Sequence, residues 1–247
     1  MKSIFALVTT LALSCSAMAS PAINIGAMHN FIEPERNTIL KQVRNTGTST
    51  AYVRISAFEL DFMPAGKPVE KPIDNDALMQ GKGVGLLVSP ARMIIPASGS
   101  QANRMLFVGE RDRERYYRVR YVPVIPETGK EFGLTAAEQQ EYEAGLKVGV
   151  NMMAGYGAIV VVRPANVRYQ TQIDEEPGKV VITNKGNSTV MLDAFAQCKA
   201  KLKDCHGHKV HYLRPGISLT QPKEAGKSFQ FTLVEGKSKK NLAFGQM

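Results

Sequence analysis

The chain has 247 residues, with 31 Lys and Arg against 22 Asp and Glu and a formal net charge of +9. This length exceeds one small β-domain and suits two domains of about 100 residues each. The basic residues are largely dispersed and no aromatic-and-basic recognition motif accompanies them, so nucleic acid is not expected as a partner.

The N-terminus has the order of a secretory signal peptide. The charged start Met1-Lys2 precedes the apolar run Ile4–Leu13, and small residues follow at Ala17-Met18-Ala19. This run, like every later segment, is shorter than the roughly 18 uninterrupted apolar residues that a membrane span needs. We therefore predict a cleaved signal peptide over residues 1–19 and an exported protein, with acylation of Cys15 as the alternative.

Short segments with β-type apolar patterns, separated by turn residues, occupy most of the remaining chain. The first set is predicted at Ala22–Met28, Thr38–Arg44, Ala51–Leu60, Gly85–Ser89, Arg92–Ile95, Gln101–Val108, Tyr116–Pro123 and Met152–Val162. The second set is predicted at Tyr169–Ile173, Lys179–Asn184, Val190–Gln197, Val210–Leu213, Gly216–Leu219, Ser228–Val234 and Leu242–Phe244. Short strands at this spacing are typical of immunoglobulin-like domains, so the predicted fold class is all-β with two such β-sandwiches.

The two halves share a turn. Asn45-Thr46-Gly47 and Asn184-Lys185-Gly186 each end a predicted strand, with asparagine initiating the turn and glycine allowing positive φ. We predict an N-terminal domain over residues 20–166 and a C-terminal domain over residues 167–247. Thr135–Lys147 departs from the β pattern: it is rich in helix formers, and Thr135 with Glu138 fits a capping box.

The segment Val148–Pro164 changes pattern along its length. Val148, Val150 and Met152 alternate with other residues, whereas Ile159–Val162 is apolar at every position. Alternation indicates a half-buried strand, and a continuous apolar run indicates a strand covered on both faces. We interpret the segment as a strand that leaves a sheet core with one apolar row uncovered, and such a row needs a partner.

A second strand carries alternating arginines. The pattern places Tyr117, Val119 and Tyr121 on one face, and Tyr116, Arg118 and Arg120 on the other. If the first face is the core, the second lines a surface. Arginine binds a carboxylate through two parallel hydrogen bonds, so this surface is a candidate site for an acidic group of a protein partner.

The two cysteines that follow the signal peptide are Cys198 and Cys205, seven positions apart. In an oxidising compartment we expect them to form a disulfide. His206, His208 and His211 keep a structural metal site open as the alternative, although the spacing of the first two does not match the usual paired ligands. No G-x-S-x-G, H-E-x-x-H or phosphate-loop pattern occurs, so we predict neither catalysis nor a cofactor.

These features together resemble the periplasmic chaperones of the chaperone–usher pilus pathway. The signal peptide, the two sandwiches, the long strand ending in VVVRP and the Asn-x-Gly turns carry the resemblance, which covers essentially the whole mature chain. The stretches ERYYRVRY, GAIVVV and NKGNSTVMLDAFAQC are closer to the alternate class of this family. The resemblance implies a periplasmic protein whose two sandwiches form an L or boomerang with a cleft between them.

The resemblance also implies a set of site residues. Such chaperones hold pilus subunits that lack one strand, insert alternating residues of a long strand into the gap, and deliver the subunit to an outer-membrane usher. By position, the inserted residues here are Val148, Val150, Met152 and Ala154. The family anchors the subunit's C-terminal carboxylate with two basic residues, whose positions align here with His29 and Ile159. The substitutes are Arg118, Arg120, Arg163 and Arg168, with Arg118 foremost.

Two other functions stay open. A pilus structural subunit or tip adhesin would carry its own N-terminal donor extension, for which Ser20–Ile25 is too short to qualify clearly. A secreted carbohydrate-binding domain would be expected to use tryptophan as a stacking platform, and the chain has none. The sequence does not determine which pilus is served, how the usher is contacted, or whether the free form self-associates.

Overall fold

The computed structural model describes residues 20–62, 67–127, 129–146, 153–199 and 203–245. The predicted signal peptide and three of the predicted donor residues, Val148, Val150 and Met152, lie outside the described residues. None of the helices in the described ranges is long and apolar enough to cross a membrane.

The first part of the chain folds into two facing sheets. Its elements are β1 (Ile23–Asn24), β2 (His29–Ile32), β3 (Thr38–Asn45), β4 (Ala51–Asp61), β5 (Val69–Pro72), α1 (Asn75–Met79), β6 (Gly85–Ser89), β7 (Arg92–Ile95), β8 (Ser100–Val108), β9 (Arg115–Val124), α2 (Gly129–Phe132), α3 (Ala136–Leu146) and β10 (Tyr156–Val162). One sheet has the order β1-β3-β8-β6. The other has the order β2-β10-β9-β4-β5, with β7 also paired to β4.

The second part forms another pair of sheets. Its strands are β11 (Thr171–Glu175), β12 (Lys179–Asn184), β13 (Val190–Lys199), β14 (Lys203–Leu213), β15 (Ser218–Pro222), β16 (Lys227–Glu235) and β17 (Ser238–Gly245). The sheet orders are β11-β12-β15 and β14-β13-β16-β17. Each half has its own apolar core. The predicted fold class, all-β with two immunoglobulin-like sandwiches, is confirmed.

Strand β9 has the faces that its alternation predicts. Tyr117, Val119 and Tyr121 are fully buried in the core of the first sandwich. The Tyr121 hydroxyl donates to Asn103 Oδ1 at 3.0 Å, which satisfies a polar group that would otherwise be costly to bury. Arg118 and Arg120 therefore point to the outer face of the six-stranded sheet.

The repeated Asn-x-Gly turn has the same hydrogen bonds in both sandwiches. Asn45 Oδ1 accepts from Gly47 N at 3.0 Å, and Asn184 Oδ1 accepts from Gly186 N at 2.9 Å. Each asparagine is fully buried, and its amide donates to two or three backbone carbonyls in neighbouring segments. The expectation that the glycine supplies a positive φ was wrong, because neither Gly47 nor Gly186 adopts one; glycine is needed here because the backbone of Ser20 or Arg168 approaches it closely.

Two further local predictions are confirmed. Thr135 Oγ1 accepts from Glu138 N at 3.3 Å and Glu138 Oε2 accepts from Thr135 N at 2.8 Å, which is a capping box at the start of α3. Cys198 and Cys205 form a disulfide between β13 and β14. Within the described ranges, no group of three or more metal-binding side chains lies close enough to hold an ion.

The predicted strand Ala22–Met28 was wrong in one respect, because the chain changes sheets within it. β1 ends at Asn24, Gly26 adopts a positive φ of 63°, and β2 begins at His29 in the opposite sheet. Glycine tolerates this conformation without steric cost. The switch brings β2 alongside β10 as a parallel neighbour.

Candidate functional site

The outer face of the six-stranded sheet brings together residues that are far apart in sequence. His29 on β2 pairs with Ile159 on β10, Ile159 pairs with Arg118 on β9, and Arg118 pairs with Phe58 on β4. The two positions that align with the family's basic anchor are therefore cross-strand neighbours of each other. Arg118 lies directly beside Ile159, so a basic group is present one strand away from the aligned position.

A glycine leaves room for the Arg118 side chain over β10. A Cβ atom at Gly157 would lie 3.3 Å from Arg118 Cδ and 3.5 Å from its Cγ. Arg120 follows on the same face, with its guanidinium carbon 4.9 Å from the Phe58 ring centroid. Both arginine side chains are partly exposed, so a ligand in the cleft can reach them.

An internal carboxylate already bridges these two arginines. Glu70 Oε1 accepts from Arg118 Nη1, and Glu70 Oε2 accepts from Arg120 Nη2 at 2.6 Å. Two carboxylate oxygens on two guanidinium groups form strong charge-assisted hydrogen bonds. The arrangement can therefore hold a two-oxygen anion.

A cavity of about 250 Å³ between the sandwiches adjoins Arg118. His29 lines it from the first sandwich, and Tyr212 lines it from the second. Their rings stack with centroids 3.8 Å apart and planes inclined by 15°. Burial lowers the pKa of the His29 imidazole, so the neutral ring is favoured in this aromatic environment.

Arg214 is a basic residue of the cleft that the sequence analysis missed. It directly follows β14 and lines the cavity, and its guanidinium carbon lies 3.6 Å from the Phe62 ring centroid. Stacking uses the face of the guanidinium and leaves its in-plane N–H donors available. Among the residues that the structure describes, no carboxylate forms an ion pair with Arg214.

A buried polar network fixes the junction between the sandwiches. Glu114 accepts from Ser188 Oγ at 2.6 Å and from Thr189 N at 2.8 Å. Arg163 Nη1 donates to Ser188 Oγ at 2.6 Å and to the Thr189 carbonyl at 3.0 Å. Burial, reinforced by the nearby Glu114 carboxylate, raises the pKa of the Tyr116 phenol. These groups hold the two walls of the cleft in a defined orientation.

The four predicted anchor arginines thus lie in three different environments. Arg118 and Arg120 share the cleft face. The Arg163 side chain is 6% exposed and is engaged in the junction network. Arg168 donates from its side chain to Gln170 at 2.9 Å, on the linker side of the second sandwich. The structure groups the first two and separates the others from them.

Strand β10 has an open edge where it begins. β2 pairs with β10 from Ile159 onward, whereas Tyr156–Ala158 are paired to β9 alone among the described strands. Unpaired backbone groups at such an edge can accept an additional strand. Ala154, a predicted donor residue, is exposed just before this edge and is not part of a described strand.

Helix α3 fixes the other side of this region to the sandwich. The Tyr142 hydroxyl donates to the Thr50 carbonyl at 3.0 Å, and its ring packs edge-on against Tyr52 with centroids 4.7 Å apart. The helix ends at the buried Leu146. The predicted donor segment is therefore tethered to the first sandwich at both of its ends.

Comparison with known proteins supplies the context for this site. No family model matches the chain. It is 27% identical over 212 residues to the probable fimbrial chaperone EcpB of Escherichia coli O157:H7 and of E. coli K12 strain DH10B, covering 84% of this chain and 85% of the relative. Among solved structures, the class 5 fimbriae chaperone CfaA superposes with a TM-score of 0.56 at 20% identity, over 91% of this chain and 99% of that one. The SafB chaperone, solved in complex with SafA pilin of Salmonella enterica, gives 0.52 at 14% identity over 90% and 95%.

Proposed function

We propose that this chain, which belongs to the fimbrial chaperones, holds pilus subunits in the periplasm by lending them a strand and binding their terminal carboxylate. Delivery of the bound subunit to an outer-membrane usher completes the proposed role. The open edge of β10, directly after the alternating apolar segment, is the observation that carries the proposal.

The proposed donor residues are chosen by the two-residue repeat of a strand. In β10, Ala158 and Val160 are buried, whereas Ile159 lies on the cleft face. Continued toward the N-terminus, this repeat would place the proposed donors on the same side of the strand as Ala158 and Val160. They are Val148, Val150, Met152 and Ala154. A subunit that lacks one strand would cover this row as the core covers the rest of β10. Full burial of each large side chain is worth about 1.5–3 kcal/mol in transfer free energy.

The proposed carboxylate anchor is Arg118 with Arg120. These two arginines are partly exposed on the outer face of the six-stranded sheet, and they already hold the Glu70 carboxylate between them. Arg163 has a structural role in this proposal, because its donors are committed at the junction. Strand donation and carboxylate binding together would fix both the register and the direction of the bound subunit.

Aspartate substitutions test the donor segment. The double variant Val150→Asp with Met152→Asp should abolish recovery of the subunit with the chaperone from periplasmic extracts, because charged side chains cannot enter an apolar groove. The matched control places the same two charges at the alternate positions, Asn151→Asp with Met153→Asp, and should retain capture. Equal subunit recovery with both double variants would refute strand donation by this segment.

A further inference from the structure

We propose that Glu70 is an internal competitor, which occupies the carboxylate site until the C-terminus of a subunit displaces it. In the free chaperone Glu70 occupies Arg118 and Arg120, and the terminal carboxylate of a subunit takes its place. This inference rests on the proposed function, since it concerns the same arginine pair. It adds a residue from a segment to which the sequence analysis assigned no element.

The position of Glu70 suits a group that can leave. It lies on β5, a four-residue strand at the end of the sheet order that pairs with β4 among the described strands. A short edge strand has few backbone hydrogen bonds to restrain it. A rotation of the Glu70 side chain, or a small shift of β5, would vacate both guanidinium groups.

The contact between Glu70 and the two arginines is more exposed to solvent than the polar network at the junction. The side chains of Arg118, Arg120 and Glu70 are 33%, 45% and 18% exposed. Glu114, by contrast, is 2% exposed and accepts several hydrogen bonds from Ser188 and Thr189. Partly exposed ion pairs contribute little net stability because water and salt compete with them. Another carboxylate can therefore displace Glu70, whereas buried hydrogen bonds hold Glu114 in place.

Only another anion can take the place of Glu70 without loss. A neutral group that displaced Glu70 would leave Arg118 and Arg120 without an anion, because the Glu70 carboxylate would move into solvent. A terminal carboxylate replaces both hydrogen bonds of Glu70 in kind, so its binding conserves the charge balance of the site.

A second bridging glutamate provides a matched control. Glu131 on α2 accepts from Arg54 through both oxygens, at 2.9 and 3.0 Å, and from Arg92 at 3.4 Å. It joins two arginines as Glu70 does, but it lies beside β4 and β7, away from the cavity that His29 lines. Its removal changes the net charge equally without vacating the proposed site.

The test uses two probes that differ in one group. They are an acetylated five-residue peptide of alternating valine and threonine ending in phenylalanine, with either a free C-terminal carboxylate or a C-terminal amide. Nuclear magnetic resonance titration of the full mature chain gives the dissociation constant of each. Glu70→Gln should bind the carboxylate peptide about tenfold more tightly than the wild type, since a competing charge-assisted contact is gone. Its affinity for the amide should not change, and Glu131→Gln should match the wild type with both peptides.

Three other results would overturn the proposal. Weaker carboxylate binding in Glu70→Gln would overturn the proposal, because Glu70 would then be positioning the arginines. An equal gain for both peptides, or no carboxylate-dependent binding in either protein, would overturn it too. Melting temperatures of the variants confirm that they are folded. Capture of the subunit by the wild-type chaperone is measured separately, so loss of the Glu70 inference leaves the proposed function standing, and failure of capture removes that function.

Discussion

Replacing Glu114 by alanine tests whether a buried network holds the two sandwiches together. The carboxylate accepts from Ser188 Oγ at 2.6 Å and from Thr189 N at 2.8 Å, and it lies 3.9 Å from Arg163 Nη1. Its loss leaves the buried Thr189 amide and the Ser188 hydroxyl without their acceptor, whereas Arg163 keeps its ion pair with Glu33 at 3.1 Å. A hydrogen bond to a charged group contributes about 1.5–3 kcal/mol, and Glu114 accepts at least two of them in a buried site. We therefore expect the unfolding free energy to fall by about 3–5 kcal/mol.

Calorimetry of the mature chain measures this effect. A change of 1 kcal/mol moves the midpoint of a chain of this size by about 2–4 °C, so the melting temperature should fall by about 6–20 °C. Asp61→Ala is the control, because Asp61 pairs with Lys71 at 2.6 Å on the exposed surface and its loss should leave the midpoint unchanged. If Glu114→Ala melted within a degree or two of this control, the network would not hold the junction.

Two further predictions concern the repeated turn and the cleft imidazole. A Cβ atom at Gly47 would lie 2.2 Å from the Ser20 carbonyl oxygen, and one at Gly186 would lie 2.3 Å from that of Arg168, so alanine at either position should cost about 1–3 kcal/mol in urea denaturation. Gly178→Ala, where nothing lies within 4 Å, is the control, and an unchanged midpoint in the turn variants would contradict the shared turn geometry. Burial lowers the pKa of His29 in the folded state, so the unfolded chain binds a proton on this imidazole more readily. The stability that the neutral ring contributes is therefore complete above about pH 6.5. It is lost as the pH falls through the folded-state pKa. Acidification from about pH 7.5 to about pH 5 should therefore lower the melting temperature of the wild type more than that of His29→Gln, and equal losses would show that His29 does not carry this effect.

Short-range patterns in the sequence predict much of the fold. The faces of β9, the capping box of α3, the two Asn-x-Gly turns and the disulfide each depend on residues within a few positions of one another. Such features are encoded locally, because alternation and turn chemistry act over one element. The change of sheet after β1 was not predicted, and β2 lies beyond the predicted strand Ala22–Met28, because this change depends on tertiary pairing.

The site was predicted less completely than the fold, because its polar contacts are long-range. The sequence analysis identified Arg118, but Glu70, which binds it, is 48 positions away on a strand with no alternating pattern. Arg214 follows a strand of the other sandwich and resembles an ordinary turn residue until the two sandwiches are brought together. No spacing rule links residues that meet only through a six-stranded sheet or across a domain junction.

The distribution of paired charges in the cleft indicates how a subunit would be recognised. Glu70 cancels one of the two positive charges of Arg118 and Arg120, so this pair keeps a net positive charge. Arg163, by contrast, is buried beside the carboxylates of Glu33 and Glu114. Arg214 is a further basic group of the cleft: its guanidinium stacks on Phe62, and none of the described carboxylates forms an ion pair with it, although Asp61 and Glu114 line the same cavity. Uncompensated charge acts over about a Debye length, whereas exchange of ion-pair partners needs contact. Under the proposed function, Arg214 and the arginine pair would both attract a subunit's terminal carboxylate at a distance, whereas Glu70 would be displaced only when that carboxylate contacts the pair.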